Sequence, residues 1–298
     1  MKKITRLLPS LFFLAPVIAF AGSGFECKIP VPSEEKNWSD NFDVETSYTG
    51  RGDFRDDRFG SGSSFYSDYS YNHRFLLSGH WYLRAGAEYE RFDFGGSRNG
   101  LPNHLQALYA NVALEYVLQD NAAAGLRFYP GWYFQNHIRG DAFDMPTDVF
   151  LTFPIMDKVY GVVAFGASLY QDPPVLPGGG IIWLINDKLR LEAIVPKSAL
   201  IYTASEDWEF RLTGEIVSGS FRTDEVRTPS ENVRFSNAIV QYSEYHAGVQ
   251  AACSRFKPFQ IIAGAGYTIN RDYNFFRAER RETVEGAPYF KLEIAASF

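Results

Sequence analysis

From Phe42 onward, apolar and polar residues alternate in runs with a period of two, the repeat of a strand with one apolar and one polar face. Phe42, Val44, Thr46 and Tyr48 stand against Asp43, Glu45 and Ser47. Phe65, Tyr69, Tyr71 and Phe75 oppose Asp68, Ser70, Asn72 and Arg74, and Trp81, Leu83, Ala85, Ala87 and Tyr89 oppose Arg84, Glu88 and Glu90. The alternation returns through 108–116, 124–132, 149–153, 163–169, 189–195, 208–216, 247–251 and 259–269. It ends in the clearest run of all, with Phe290, Leu292, Ile294, Ala296 and Phe298 on one side and Lys291, Glu293 and Ser297 on the other. Tight turns such as Ser78-Gly79-His80 and Asn186-Asp187-Lys188 join the strands at one end. Longer polar loops, expected at 51–62, 171–177, 222–234 and 271–287, join them at the other. Pro196 is expected in a compact hairpin turn with a returning strand over 199–203. The segmentation gives about fourteen strands, or about twelve if the region around Pro196 forms no hairpin.

Alternation alone does not separate a membrane barrel from a soluble sandwich, because both put one apolar and one polar face on each strand. The placement of aromatic residues does. Trp81, Trp208, Tyr116 and Phe298 fall at the short-turn ends of the apolar faces, and Tyr48, Trp132 and Tyr289 at or near the long-loop ends. Two aromatic girdles flanking an apolar band, with short turns on one side and long charged loops on the other, describe an all-β transmembrane antiparallel barrel. No Gly/Pro-rich linker divides 42–298, so this span reads as one domain.

The start of the chain agrees. Residues 1–21 read as a cleaved secretory signal: Lys2, Lys3 and Arg6 form a basic region, 11–20 an apolar run, and Ala19 and Ala21 the small residues before the cut. Residues 22–41 are polar and read as a periplasmic lead-in. No later stretch is apolar enough for a spanning helix, while aromatics make up 16% of the chain, with 26 Phe, 18 Tyr and 5 Trp. That combination places the product in a bacterial outer membrane, in contact with its lipid. The formal charge is −6, and removing Lys2, Lys3 and Arg6 with the signal takes it to about −9, which argues against a nucleic-acid partner.

The closing strand ending in Phe298 resembles the assembly signal of bacterial outer-membrane β-barrels. The stretch from Pro177 through Leu189-Arg190-Leu191-Glu192-Ala193-Ile194-Val195-Pro196 to Tyr202, continuing into the strand that begins at Trp208, resembles an uncharacterised family of exported barrels. The likeness spans most of the mature chain. It implies fold and location, and no activity.

The chemistry then lies on the inward face. Arg84, Glu88, Arg127, Arg190, Glu192, Arg211, Glu215 and Glu293 are predicted to line the lumen. They would either border a water-filled passage that selects solutes or pair with one another in a filled interior. Enzyme chemistry has only the histidines to draw on. His104 and His137 fall in outer loops with Asp141 and Asp144 nearby, the setting a rim hydrolase would use, but the segment from Asn136 to Asp141 matches no hydrolase motif. No cofactor motif and no His or Cys pair at metal-ligand spacing appears: Gly178-Gly179-Gly180 lacks the Lys-Ser/Thr of a phosphate loop. Cys27 and Cys253 form a candidate disulfide, since the topology puts both at the periplasmic rim, where thiols are oxidised; the alternative is two unrelated cysteines. The functional expectation is a passive small-solute channel or structural surface barrel, with a rim hydrolase as the alternative and a soluble periplasmic β-protein binding an apolar ligand behind both.

Phe290, Leu292, Ile294 and Phe298 are expected to be what the barrel assembly machinery reads. Deleting Phe298, or changing Phe290 and Ile294 to Asp, is predicted to abolish the heat-modifiable band on detergent gels and leave the protein unassembled, as followed by cell fractionation. Normal membrane levels would refute the closing-strand argument.

Overall fold

The computed structural model describes residues 37–96, 101–119, 122–225 and 235–298. The predicted signal, residues 22–36 of the lead-in and Cys27 lie outside them. Sixteen strand segments follow in order: β1 (Trp38–Asp53), β2 (Ser61–Ser78), β3 (Trp81–Gly95), β4 (His104–Gln119), β5 (Ala122–Phe128), β6 (Gly131–Phe134), β7 (Phe143–Asp144), β8 (Thr147–Met156), β9 (Val159–Ala167), β10 (Val175–Asn186), β11 (Leu189–Val195), β12 (Lys197–Thr203), β13 (Trp208–Arg222), β14 (Ile239–Cys253), β15 (Phe259–Phe275) and β16 (Arg280–Ser297).

These close into a fourteen-strand antiparallel barrel. β16 pairs with β1 from Asn41↔Ser297 to Thr49↔Tyr289, and β12 pairs with β13. β6 and β7 are not additional staves. Tyr129 and Pro130 interrupt one long strand into β5 and β6, both paired with β4, and β7 continues β8 in the same way. At Gly131 the backbone comes so close to β4 that an added Cβ would lie 2.4 Å from the Leu108 carbonyl oxygen, so only glycine fits. The hairpin around Pro196 forms, with Leu189↔Tyr202 to Glu192↔Ala199 in register, which selects fourteen strands over twelve. β1 begins at Trp38, within the predicted lead-in, because the backbones of Asp40 and Phe298 pair.

The wall is of unequal height. β1–β4 and β13–β16 run for 15 to 18 residues, whereas β11 and β12 have 7 each and β8 has 10. At about 3.4 Å per residue and a tilt of about 40°, a ten-residue strand climbs roughly 26 Å, close to the apolar band of an outer membrane. A sixteen-residue strand climbs roughly 42 Å and must leave the lipid. Above the short sector the tall strands close among themselves. β6 pairs with β4 on one edge and meets β13 on the other through Phe134↔Arg222. The resulting ring contains nine strands: β13–β16, β1–β4 and β6.

Where the barrel narrows, the strands reverse their polarity. Along β3, the outward residues Trp81, Leu83, Ala85, Ala87 and Tyr89 give way to Arg91 and Asp93, which pair at 2.7 Å, while the inward residues change from Arg84, Glu88 and Glu90 to Phe92 and Phe94. The same reversal runs through β15 and β16. The long charged loop expected at 271–287 is therefore a hairpin: Arg271, Tyr273, Phe275 and Val284 point inward, Arg281 and Glu285 point out, and the connection is only a short 3-10 turn at Phe276–Ala278. Arg281 and Glu285 there mark a strand face turned to water, while Arg271 and Glu282 are buried within.

The nine-strand ring is filled by aromatic packing. Phe92 meets Phe221 at 5.9 Å and Tyr242 at 5.1 Å, while Phe94 meets Tyr242 at 4.7 Å and Tyr273 at 5.1 Å, so rings from β3 touch rings on β13, β14 and β15 across the interior. Phe54, Phe59, Phe235 and Val240 complete the core. Lower down, the outward face is apolar: Phe290 is 64% exposed and Leu212 60%. Trp81, Trp208 and Phe298 lie exposed at the short-turn rim as expected, and Tyr48 and Trp132 stand on the outward face. Tyr289 does not. It is buried in the lumen, where its ring stacks on His246 at 4.3 Å, because it shares a face with Lys291 rather than with Phe290.

A large cavity is expected if the central ring is truncated. Phe92→Ala should cost about 3–5 kcal/mol, read as a lower midpoint for loss of the heat-modifiable form, whereas Phe290→Ala on the lipid face should cost far less.

Candidate functional site

The lumen is stratified. Nearest the short turns is a vestibule of paired charges. Arg74 and Arg84 both reach Glu115 at 2.8 Å, and the Arg74 guanidinium lies over the Tyr82 ring at 3.6 Å. Arg127 meets Asp148 at 2.8 Å, Arg190 meets Glu192 at 2.7 Å and Arg211 meets Glu209 at 3.1 Å. Every sequence-predicted lumen residue falls on the inward face, because the period of two leaves no other orientation for it. The partners of the arginines are near neighbours, on the same strand two residues apart or on a strand one or two places away, so the vestibule is a set of local pairs around its wall.

Above this level the pairs cross the barrel. Lys291, on β16 and only 3% exposed, reaches Glu45 at 2.8 Å, Glu215 at 3.1 Å and Glu293 at 3.7 Å. Lys197, at the start of β12, reaches Glu215 at 3.1 Å and Glu45 at 3.5 Å. Glu45 lies on β1 and Lys197 on β12, so this second cation bridges strands well apart around the ring. One turn higher, Glu244 accepts hydrogen bonds from Tyr242 Oη (2.6 Å) and Thr49 Oγ1 (3.0 Å), and its Oε2 meets His246 Nε2 at 2.8 Å. The aromatic core then closes the axis.

Of the predicted lumen residues, Glu215 and Glu293 join this crossing network, and Glu88 is buried beside Glu90 and Asp68 instead of lining the vestibule. Sequence reasoning missed Lys197 as a bridging group. Its signal was the inward phase of the strand after Pro196, which starts two residues earlier than expected. It also missed the contact between Glu244 and His246, which share the inward face of β14; the register shift at this point places its extra residue on β15.

At the outer rim, His137 Nδ1 lies 3.1 Å from Asp224 Oδ2, not beside Asp141 or Asp144. Burial opposes the charge on Asp224, but hydrogen bonds from the Asn136 side chain and backbone and from His137 outweigh it and hold the carboxyl below its ordinary value. Asp141 instead pairs with Arg139, and Asp144 accepts from Ser168 Oγ at 2.6 Å. His104 begins β4 opposite Asp93. Among the described residues, no serine or cysteine is brought to His137 by a hydrogen bond, so the rim carries an acid–histidine contact that ties two loops together. Cys253 ends β14 on the outward face, opposite Trp208.

No family model matches the chain, and no curated protein matches it. Among solved structures the chain is similar to an outer-membrane channel from Pseudomonas putida F1, at 10% identity over 98% of this chain and 100% of the other, with a TM-score of 0.46. It is similar to the toluene transporter TodX of P. putida, at 10% identity over 87% and 90%, with a TM-score of 0.41. It is also similar to the translocator domain of the autotransporter NalP from Neisseria meningitidis, at 9% identity over 89% and 90%, with a TM-score of 0.39.

Removing the cation at the centre of the crossing network leaves carboxylates buried without a counter-charge. Lys291→Met is predicted to cost about 3–5 kcal/mol in urea unfolding of the reconstituted protein, and adding Glu45→Gln and Glu215→Gln should recover much of the loss. If the single variant matches the parent, the network is not structural.

Proposed function

We propose that this protein is a passive outer-membrane barrel: a small-solute channel with a charged vestibule toward the periplasm, held shut on the outer side. The observation that carries the reading is the change from a fourteen-strand ring lined by paired charges to a nine-strand ring filled by Phe92, Phe94, Phe221, Tyr242 and Tyr273. The closed ladder and outward apolar face suit a lipid environment. The paired Arg and Glu side chains below suit a hydrated interior that admits polar solutes. Passage requires the aromatic core or the ion layer beneath it to move, so the state described is a closed one. The rim contact of His137 with Asp224 ties two loops together, and neither Asp141 nor Asp144 joins it as the hydrolase alternative expected.

Single-channel recording decides between a channel and a purely structural barrel. The native protein is predicted to be silent or to conduct only in brief openings, and Phe92→Ala combined with Tyr242→Ala to conduct steadily. Silence of a correctly folded double variant would leave the structural barrel as the reading, and steady conductance by the native protein would remove the closed state.

A further inference from the structure

Beneath the aromatic core, where Asp68 is in register with Glu45 of the ion layer, Asp68 on β2 and Glu88 and Glu90 on β3 converge inside the barrel. Asp68 pairs with Glu90 in register and Glu88 lies one inward step below. One carboxylate oxygen from each lies within 4.8 Å of the other two, and all three residues are more than nine-tenths buried. Among the described residues none of the three forms an ion pair. Glu45, Glu215 and Glu244 each have a Lys or His partner, which these three lack. Tyr109 Oη donates to Glu88 at 2.5 Å. Asp68 Oδ2 and Glu90 Oε2 receive no hydrogen bond at all, although both are buried. In the next inward row the side-chain oxygens of Asn72 and Asn111, on either side of Gly86, are likewise buried without a donor. Apart from the Tyr109 hydroxyl, the cluster thus presents buried acceptors, one oxygen each on Asp68 and Glu90, that no donor meets.

We propose that Asp68, Glu88 and Glu90 bind one hard divalent cation, with calcium the best match in size. Two oxygens on opposite sides of a calcium ion at about 2.4 Å stand about 4.8 Å apart, and the three carboxylate oxygens lie within that distance of one another. Carboxylate and amide oxygens are the ligands such an ion takes, and no nitrogen or sulfur ligand is required. The charge argument points the same way: three carboxylates crowded in a closed interior repel one another unless a cation or protons intervene. A bound ion would clamp β2 to β3 at the level where the barrel narrows. The inference stands on the buried cluster alone and does not depend on whether the barrel conducts.

The test uses the full mature chain refolded in a zwitterionic detergent, stripped with a chelator and free of lipopolysaccharide. Calorimetric titration with calcium chloride at neutral pH should give one saturable site, and calcium should raise the temperature at which the heat-modifiable form is lost. Terbium should bind the same site, luminesce through the adjacent Tyr109, and be displaced by calcium. Glu90→Gln and Asp68→Asn keep side-chain shape while reducing repulsion, so they should fold, and each should weaken calcium at least tenfold. Absence of saturable binding at millimolar calcium overturns the proposal, as does an equal response in the native protein and both variants, which would place the ion elsewhere. An infrared band from protonated carboxyl groups that disappears in Glu90→Gln but persists in saturating calcium would assign protons to the cluster and overturn it too.

Discussion

In a bilayer, every backbone amide and carbonyl must find its partner within the protein, and a sheet meets that demand only by closing on itself. Here that constraint is met twice. At the level of the lipid, fourteen strands close through β12–β13 and β16–β1. Above the short sector, β6 takes the place of the six strands that stop, and the ladder closes again over nine. The interior follows from the circumference. The wider ring leaves a lumen broad enough for hydrated charges, and the narrower one leaves only enough room for side chains to meet.

The reversal of polarity along each tall strand is the corollary. Within lipid the outward face must be apolar and the inward face can be polar. Once a strand stands in water, the ordinary rule of a soluble sheet returns. β3 obeys both rules in one run of fifteen residues, from Trp81 to Gly95. In β3 the period of two is kept across the change, so the backbone remains one strand while its chemistry changes sides.

This explains what the sequence made legible and what it hid. Closure, strand number and the inward side of Arg84, Arg127, Arg190 and Arg211 follow from alternation, which fixes facing wherever one face is apolar. The region from Arg271 to Ala287 defeated the same rule. Its outward positions carry Arg281 and Glu285, and its inward positions Tyr273, Phe275 and Val284, so a reader expecting apolar residues outside sees only broken pattern. Tyr289 misled for a different reason: its type suits a lipid interface, but it lies two residues from Lys291 on the same face of β16 and so faces the lumen. The crossing ion layer was hidden altogether, because Glu45, Lys197, Glu215 and Lys291 come from strands scattered along the chain and are brought together only by curvature.

The two closures are far from equal in strength. The wider ring closes through β12 and β13 along seven register pairs, from Lys197↔Glu215 to Thr203↔Glu209, whereas β6 and β13 share the single pair Phe134↔Arg222, helped by Asn136 and His137 on Asp224. The upper ring is therefore a sleeve with one basted edge. Thermal motion will concentrate along that seam, since parting it breaks few backbone bonds while the rest of the sheet stays whole. A parted seam would let the sleeve relax toward the wider circumference beneath it without unfolding a single stave of the wall.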